Sequence, residues 1–430
     1  MDDVTHEIEA GSPKPKLLAI GDGVASTGFA RVMHALLAAF SDHYEIQQIG
    51  LNYHGDPHPY PWDIYPAASG GDHYGIGRAA ELIERFQPSV IFAVNDAWVL
   101  NQTLEAIRHC RGDAQVVVYT PVDGGPVDPG FVEAFDVADH VVGYTDFGTR
   151  MVCDAIEQAA RSAEREWRKP TLSTIPHGVD TDVFCPLDRH PDGLQVLDKV
   201  GVPDPRLAAK RALLPSLKDL ETSFVVLNAN RNQPRKRIDL TMDAFARFAR
   251  GKPDNVLLYL HMGLEDAGWN IPRLADHFGI QDRLVISSRS ATIPSIPDSH
   301  LNLIYNACDV GINTSVGEGW GLVSFEHAAA YGAQIMTGHD TAVELWQDAA
   351  ALVEPSHIGI NPRVSTEAKI SDAADIAAAL EELYANRERL KELQLAAFER
   401  ATSADLQWPE IAAKFMRLFE HAPAREEIHA

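Results

Sequence analysis

The chain has 430 residues, more than a single hydrophobic core normally organises, and this length predicts two domains. Its composition is that of a globular protein, with 45% hydrophobic and 23% charged residues and no low-complexity bias. A formal net charge of −24 repels nucleic acid phosphates and anionic lipids, so both are disfavoured as partners. No run of about 18 apolar residues occurs, so no membrane span is expected.

The N-terminal residues 1–15 are acidic and lack an apolar segment, so we expect a disordered tail and no secretory signal. Four cysteines are scattered along the chain and form no C-x-x-C pair, which is typical of free thiols in a reducing compartment. The expected location is therefore the cytoplasm. The four are Cys110, Cys153, Cys185 and Cys308.

Two successive series of short apolar runs alternate with amphipathic helical patterns. Buried β-runs separated by helices predict a parallel sheet that is covered on both faces. The expected fold is therefore α/β, with two doubly wound, Rossmann-like domains that face each other across a ligand-binding cleft. The predicted strands are 17–20, 45–50, 89–94, 116–121, 140–145 and 172–176 in the first series, and 224–230, 256–262, 284–290, 310–315, 333–338 and 350–355 in the second.

The segment 176–193 separates the two series. It is rich in Pro, Gly and Asp and has no helical or strand periodicity, which is typical of a linker. The predicted organisation is a tail at 1–15, an N-terminal domain at 16–185, a C-terminal domain at 186–405 and an amphipathic helical segment at 406–430.

The first predicted strand is followed by the glycine-rich stretch GDGVASTGFARV at 21–32. Its glycines, Gly28 among them, allow a tight turn, and the next helix offers its positive N-terminus to an anion. The dinucleotide fingerprint needs a glycine where this chain has Ser26, so a nicotinamide cofactor is disfavoured. The alternative is a glycine turn that serves only backbone geometry.

A basic stretch, NRNQPRKRIDL at 230–240, follows the first strand of the second series. Arg231 and Lys236 are five positions apart across a loop, so both are expected to reach one point at the end of the strand. Two cations directed into a cleft of an acidic protein indicate an anionic ligand, most simply a phosphate. The alternative is a solvated basic turn.

The stretch GEGWGLVSFEHAAAYG at 317–332 contains two acids eight positions apart at a strand-to-helix junction. The start of the helix is a ready anion site, and Glu318 and Glu326 are expected to accept hydrogen bonds from hydroxyl groups on either side of a phosphate. A nucleotide-sugar is the ligand that this pattern describes. The alternative, an acid that complements the helix dipole, would explain Glu318 but not Glu326. The predicted donor-binding residues here are Glu318, Gly319, Trp320, Gly321, Leu322, Val323 and Glu326, and Trp320 is either an aromatic wall or simple packing.

Two acids of the N-terminal domain follow predicted strands. Asp123 lies in YTPVDGGPVDPG and Asp96 ends SVIFAVND, and either could orient or deprotonate an acceptor hydroxyl. The alternative for Asp96 is an Asx-turn. His54 and His58 lack a third ligand at metal-binding spacing, so we expect surface histidines and no metal site.

Four motifs together resemble the retaining glycosyltransferases of family 4, which have the GT-B fold. They are NRNQPRKRIDL, LIYNACDVGINTS (303–315), IPHGVDTDVF (175–184) and the E-x7-E motif EGWGLVSFE (318–326). The likeness spans roughly residues 17–420 and is more specific in the C-terminal half.

The resemblance implies that a sugar is transferred from a nucleotide donor with its anomeric configuration kept, without a metal or other cofactor. The donor would bind the C-terminal domain, the acceptor the N-terminal domain, and the segment after Trp408 would cross back onto the N-terminal domain. Many family members have a histidine where this chain reads TPVDG, and Asp123 is the expected substitute. By motif, Arg231 and Lys236 would stabilise the leaving diphosphate, Glu318 would hold the donor sugar, the amides of Gly321 to Val323 the distal phosphate or sugar, Glu326 the ribose, and Gly28 would line the phosphate.

Other functions stay open at this point. A sugar-nucleotide epimerase can share the GT-B architecture, and a non-catalytic sugar-nucleotide-binding protein would need the same site. UDP is the favoured base of the donor and GDP the next. The acceptor, a small molecule, a glycan or a protein, is chosen by first-domain loops that follow no readable code, and membrane association is not expected.

Overall fold

In the computed structural model the described residues are 13–69, 71–290, 294–362 and 364–420. Most of the predicted tail and the last ten residues of the predicted C-terminal segment lie outside these ranges. Two parallel sheets form the framework, as the two apolar series predict. None of the described helices combines the length and the apolar character that crossing a membrane requires.

The first sheet has seven strands, all of them parallel, in the order β3-β2-β1-β4-β5-β6-β7. Helices lie in several of its connections and pack on both faces of the sheet. In chain order the elements are β1 (Lys16–Asp22), α1 (Gly28–Phe40), β2 (Glu45–Leu51), β3 (Asp63–Pro66), α2 (Ile76–Phe86), β4 (Val90–Val94), α3 (Ala97–Ile107), β5 (Gln115–Thr120), β6 (His140–Gly143), α4 (Asp146–Ser162) and β7 (Thr171–Thr174).

The second sheet has six parallel strands in the order β10-β9-β8-β11-β12-β13, and β14 and β15 form a separate antiparallel hairpin. In chain order the elements are α5 (Pro191–Val200), α6 (Pro205–Leu213), β8 (Phe224–Asn228), α7 (Ile238–Ala249), β9 (Val256–Leu260), α8 (Ile271–Phe278), β10 (Leu284–Ile286), α9 (Asp298–Ala307), β11 (Val310–Asn313), α10 (Leu322–Ala329), β12 (Ala333–Thr337), α11 (Asp340–Trp346), β13 (Ala351–Val353), β14 (His357–Ile360), β15 (Glu367–Ile370), α12 (Ala373–Ala385), α13 (Arg387–Ala401) and α14 (Trp408–Glu420).

The strand order reverses once in each sheet. In the first sheet the chain leaves β1 towards β2 on one side and returns to β4 on the other, and in the second sheet β8 lies between β9 and β11 in the same way. Loops that leave neighbouring strands in opposite directions open a crevice at the carboxyl ends of the strands. The reversal therefore positions the loops after β1 and β4 in one domain and after β8 and β11 in the other.

All twelve predicted strands are present, so the expected fold class is confirmed. Three short strands were not predicted. β3 lies at the sheet edge within a proline-rich stretch, where missing N–H donors are tolerated. The hairpin β14–β15 exposes Ile358 and Ile360, and four-residue strands of this kind carry little periodicity to read.

Helix α14 returns to the first domain and packs against α1. Phe415 is fully buried there, with ring centroids 5.2 Å from Phe92 and 4.9 Å from Tyr119. Upstream of the helix, Val179 N–H donates to the carbonyl of Leu406 at 2.7 Å. The chain therefore crosses between the domains twice, and the two crossings are hydrogen-bonded to each other.

A second-domain glutamate caps a helix of the first domain. The carboxylate of Glu344, on α11, accepts hydrogen bonds from the N–H groups of Asp146 and Phe147 in the first turn of α4, both at 2.8 Å. Those N–H groups have no partner within the helix, and a carboxylate also complements the helix dipole. The contact ties the two domains at a point outside the cleft.

Removing this cap is expected to lower stability. Glu344→Ala should lower the free energy of unfolding by about 1 kcal/mol, the usual effect of losing a helix cap. Asp348→Ala, an exposed acid nearby, is the control and should change it by less than about 0.5 kcal/mol. Urea unfolding of both variants measures the difference, and equal midpoints would contradict the capping role.

Candidate active site

The carboxyl ends of the two sheets face each other across a cleft of about 1180 Å³. On the first-domain side the loops are 23–27 after β1 and 95–96 after β4. On the second-domain side they are 229–237 after β8 and 314–321 after β11. Both reversals of strand order thus open onto one cavity, which is where ligands bind in open α/β sheets.

The central polar group of the second-domain wall is Glu318, which is buried. Its carboxylate accepts a hydrogen bond from Lys236 Nζ and another from Ser315 Oγ at 2.7 Å. Arg235 Nη1 lies 3.2 Å from one carboxylate oxygen, and Asn313 Nδ2 lies 3.3 Å from the other. Burial alone would raise the pKa of Glu318, but the charges of Lys236 and Arg235 hold it well below its usual range. Glu318 is therefore ionised.

The glycines of GEGWG have two different structural roles. A Cβ on Gly317 would lie 1.9 Å from the carbonyl oxygen of Asp123, and one on Gly319 would lie 2.5 Å from Pro121 Cβ. These two glycines therefore admit a first-domain loop. Gly321 has φ +95° at the start of α10, a backbone conformation that favours glycine, and a Cβ there would lie 4.0 Å from Asn313 Nδ2.

The N-termini of two helices meet across the cleft. A Cβ on Gly28, the first residue of α1, would lie 3.4 Å from Leu322 Cδ1 at the start of α10. The N–H groups of Leu322 and Val323 belong to the first turn of α10, where no intrahelical carbonyl is available to them. All three predicted residues line the cleft, so the arrangement offers an anion two positive helix ends.

The predicted convergence of Arg231 and Lys236 needs a correction. Arg231 lies in the cleft, but its Nε donates to Asp266 at 2.6 Å and its side chain is 45% exposed. The cation beside Lys236 at the ion pair is Arg235, whose Nε is also 3.3 Å from Asp123 Oδ2. Arg235 was not predicted, although it is adjacent to Lys236 in the basic stretch.

Glu326 contacts the first domain through Arg31 of α1. Arg31 Nε lies 3.3 Å from Glu326 Oε1, and Arg31 Nη2 bonds Asp298 Oδ1 at 2.8 Å. Tyr305 Oη donates to Glu326 Oε2 at 2.8 Å. Burial raises the pKa of Glu326 by more than Arg31 and Tyr305 lower it. Both oxygens of Glu326 therefore already contact protein groups, and its predicted contact with a ribose stays a prediction.

Trp320 both packs against its own domain and lines the cleft. It stacks on Phe325 with a centroid distance of 4.9 Å, and it also lines the cavity. Its buried Nε1 has no hydrogen-bond partner among the described residues. His177, another residue that was not predicted, lies 5.4 Å from this indole and 2.7 Å, Nδ1 to Oη, from Tyr119. Burial lowers the pKa of His177 to about 3, so the ring is neutral.

The two first-domain acids differ in their contacts. Asp123 is 43% exposed and pairs with Arg235, whereas the carboxylate of Asp96 has no hydrogen bond or ion pair with any described residue. Burial, and then the charge of Asp123, raises the pKa of Asp96 to about 6. Both acids line the cleft. Of the two, Asp96 is the one whose carboxylate has no hydrogen-bond or ion-pair partner among the described residues.

His54 and His58 lie on the loop before β3. His54 is exposed, and the ring of His58 packs 5.9 Å from that of Tyr60. In the described ranges no group of three or more His, Cys, Asp or Glu side chains has the arrangement of a metal site.

Sequence reasoning missed Arg235, Arg31 and His177 for different reasons. Arg235 lies on a 3₁₀ turn, Pro234–Lys236, and a proline before two cations was the available signal. His177 stands in the recognised stretch IPHGVDTDVF and could have been singled out there. Arg31 follows the glycine loop, but its partners Asp298 and Glu326 lie 267 and 295 residues further along the chain. No local sequence pattern indicates such distant pairs.

Two curated relatives share the name D-inositol 3-phosphate glycosyltransferase. The protein from Geodermatophilus obscurus is 28% identical over 253 residues, which cover 56% of this chain and 46% of the relative. The protein from Nocardia farcinica is 27% identical over 278 residues, which cover 64% of this chain and 52% of the relative. The matches thus span about half the length of each relative. No protein-family model matches the chain.

Solved structures match almost the whole chain. HepE of Anabaena, in complex with UDP and glucose, has a TM-score of 0.64 at 15% identity and covers 94% of this chain and 99% of its own. Sucrose-phosphate synthase from Thermosynechococcus elongatus has a TM-score of 0.65 at 16% identity, with 95% and 98% covered. A UDP-forming trehalose-phosphate synthase from Burkholderia xenovorans has 0.64 at 14% identity, with 95% and 99% covered. At these identities the structures show the fold, which is GT-B, and with the curated relatives they confirm that the chain resembles the family 4 glycosyltransferases.

Proposed function

We propose that this protein transfers a sugar from a nucleotide-sugar donor to a hydroxyl group of an acceptor, with the anomeric configuration kept and without a metal. The observation that carries the proposal is the cluster that the buried Glu318 and Lys236 form with the half-buried Arg235. It lies in a cleft formed by the strand reversals of two Rossmann-like sheets, beside the N-terminus of α10. Cations and a helix terminus at one point suit a leaving diphosphate.

In this proposal the donor diphosphate lies against the first turn of α10, near the amides of Gly321 to Val323. Lys236 and Arg231 stabilise the charge that grows on the diphosphate as the glycosidic bond lengthens, and Arg235 adds a third cation. In the structure these cations pair with Glu318, Asp266 and Asp123. The diphosphate therefore competes with Asp266 for Arg231 and gives Lys236 a second anionic partner.

The two glutamates of the E-x7-E motif are assigned to the two sugar units. Glu318 is ionised and faces the cleft, so its carboxylate accepts hydrogen bonds from the donor sugar. Glu326 takes the ribose, which requires sharing its carboxylate with Arg31 and Tyr305. Trp320 and Gly319 form the wall next to Glu318.

Retention without a protein nucleophile follows from the resemblance to family 4, whose members are described with attack on the same face as the departing group. In this proposal the positive charge next to the diphosphate comes from the lysine and arginine side chains of the protein, so no metal ion is needed. UDP is the favoured nucleotide, with GDP next, and the UDP in the names of two of the structural relatives supports this order. The sequence argument from scattered cysteines keeps the cytoplasm as the proposed compartment.

The acceptor is assigned to the first-domain wall, as a small molecule, a glycan or a protein. Asp123, at the loop that packs on Gly317 and Gly319, is proposed to help place the acceptor while it pairs with Arg235. Asp96 has the free carboxylate on this wall. The acceptor in the relatives' name is not assigned to this chain, because the matches cover only about half of each relative.

A donor panel tests the nucleotide assignment. UDP-, GDP-, ADP- and dTDP-sugars are added to the protein and the thermal unfolding midpoint is measured. The correct donor, at a concentration about a hundred times its Kd, is expected to stabilise the fold by about 2.7 kcal/mol. Because UDP is favoured, the largest shift is expected with a UDP-sugar. No shift with any of the four would remove the basis of the proposal.

Donor turnover separates transfer from the alternatives. A transferase consumes donor rapidly only when an acceptor is present, an epimerase converts it without one, and a binding protein leaves it unchanged. Acceptor-dependent release of the nucleoside diphosphate identifies a transferase. The configuration of the sugar in the recovered donor, determined by NMR, then separates an epimerase from a binding protein.

A further inference from the structure

Asp96, with its unpaired carboxylate, follows β4 at the point where the first sheet reverses its strand order. Asp96 directly precedes α3, yet its side chain caps no N–H group of that helix. It lines the cleft and forms no hydrogen bond or ion pair with any described residue. Partial burial disfavours the charge of a carboxylate that no protein group pairs with, so a cationic group on a ligand would stabilise it.

A second polar group on the same wall also lacks a partner. Tyr144 is 4% exposed, lines the cleft, and its hydroxyl has no hydrogen-bond partner in the described part of the chain. Burial, followed by the charges of Asp96, Asp123 and Asp22, raises the pKa of Tyr144, so its hydroxyl is neutral. Its oxygen can accept a hydrogen bond from a ligand and its proton can bond a carboxylate.

The electrostatic field of this wall is negative. Asp22, Asp96, Asp123 and Asp180 line it. Among the described first-domain residues that line the cleft, Arg31 is the only lysine or arginine, and it already bonds second-domain acids. Arg235 of the second domain faces this wall, and it already pairs with Asp123 and Glu318. The first-domain wall itself therefore has no cation to offer a phosphate or carboxylate on the acceptor, and its four acids disfavour such a group.

Two aromatic rings line the cleft with Asp96, and one of them is only two residues further along the chain. Trp98 and Tyr74 both line the cleft, with ring centroids 5.5 Å apart at an interplanar angle of 88°. Aromatic faces attract an ammonium ion and also pack against the C–H face of a sugar ring. An anion gains nothing from these faces.

We propose that the acceptor is an amine-bearing polyhydroxylated compound, such as an amino sugar or an aminocyclitol, whose ammonium group is bound by Asp96 beside Trp98, with Tyr144 as the neutral hydrogen-bonding partner. This inference rests on the proposed function and names its acceptor class. Asp22 and Asp123 add attraction for the ammonium at longer range.

Three matched sugars test the acceptor class by binding. Glucosamine, glucose and glucose 6-phosphate are titrated by calorimetry at about pH 7 into protein saturated with UDP. Glucosamine is expected to bind roughly ten-fold or more tightly than glucose, because it adds a charge-assisted hydrogen bond. Glucose 6-phosphate is expected to bind more weakly than glucose.

The variant Asp96→Asn separates recognition of the amine from general effects. It should bind glucosamine and glucose equally while keeping the wild-type thermal shift with UDP, which shows that the fold and the donor site are intact. Asp113→Asn, an exposed acid beyond the far end of α3, is the matched control and should keep the ten-fold preference.

The outcomes keep the two proposals apart. Equal binding of glucosamine and glucose, tighter binding of glucose 6-phosphate, an unchanged preference in Asp96→Asn, or no binding of any of the three would overturn the amine site. If UDP does not raise the thermal unfolding midpoint of the wild-type protein, the proposed donor function is contradicted instead.

Discussion

Replacing Lys236 by methionine is expected to lower the rate of sugar transfer by a factor on the order of 100 or more. Lys236 is the buried cation nearest Glu318, and in the proposed reaction it stabilises charge that appears only as the diphosphate leaves. Methionine fills a similar volume without charge. Glu318 would keep Arg235, Ser315 and Asn313 as partners, so the fold should survive the change. The measurement is the initial rate of nucleotide release with the donor that stabilises the protein most.

Lys391→Met is the control for this prediction, because Lys391 is an exposed residue of α13 whose ammonium group pairs with the exposed Glu388. Its rate should equal that of the wild type. Arg231→Met and Arg235→Met, measured in parallel, show which arginine is the second diphosphate cation. The assignment from the motif requires the larger loss in Arg231→Met. A folded Lys236→Met protein with the wild-type rate would exclude a role for this lysine in the leaving of the diphosphate.

Replacing Phe415 by alanine is expected to lower the free energy of unfolding by about 3–5 kcal/mol. The ring is fully buried between α14 and the first sheet, against Phe40, Phe92 and Tyr119. Its removal leaves a cavity among large rings that cannot collapse readily, so lost burial and lost packing add. Urea unfolding measures the effect.

Leu395→Ala provides the matched control, since Leu395 is a helical residue of α13 that is 49% exposed. It should lower the free energy of unfolding by no more than about 0.5 kcal/mol. If Phe415→Ala unfolds at the same urea concentration as the control, α14 does not hold the first domain. A loss confined to one of two separate transitions would show which domain the helix stabilises.

The fold could be predicted because its signal is local. A strand buried on both faces reads as a continuous apolar run, and each of the twelve runs became a strand. The edge strand β3 and the hairpin β14–β15 were not predicted, because an edge strand and an exposed hairpin do not require a continuous apolar run. Strand order was not readable, because it depends on how the crossovers pack.

The candidate site could be predicted in part. Glu318, Lys236 and Gly28 line one cleft as expected, because loops at the carboxyl ends of parallel strands meet at the same edge. The ion-pair partners of these residues were harder to predict than their positions in the cleft. Spacing suggested Arg231 beside Lys236, whereas Arg235 occupies that place in the structure.

The amino-acid sequence by itself determined that two Rossmann-like sheets form, that loops rich in glycine and charge follow their strands, and that the second half has the motif Glu318 to Glu326. Only the tertiary structure decided which groups pair: Glu318 with Lys236, Glu326 with Arg31, and Asp96 with no hydrogen-bond or ion-pair partner among the described residues. The physical reason is that apolar periodicity acts over a few residues, while the energy of a charge depends on every group that folding brings within a few ångströms of it.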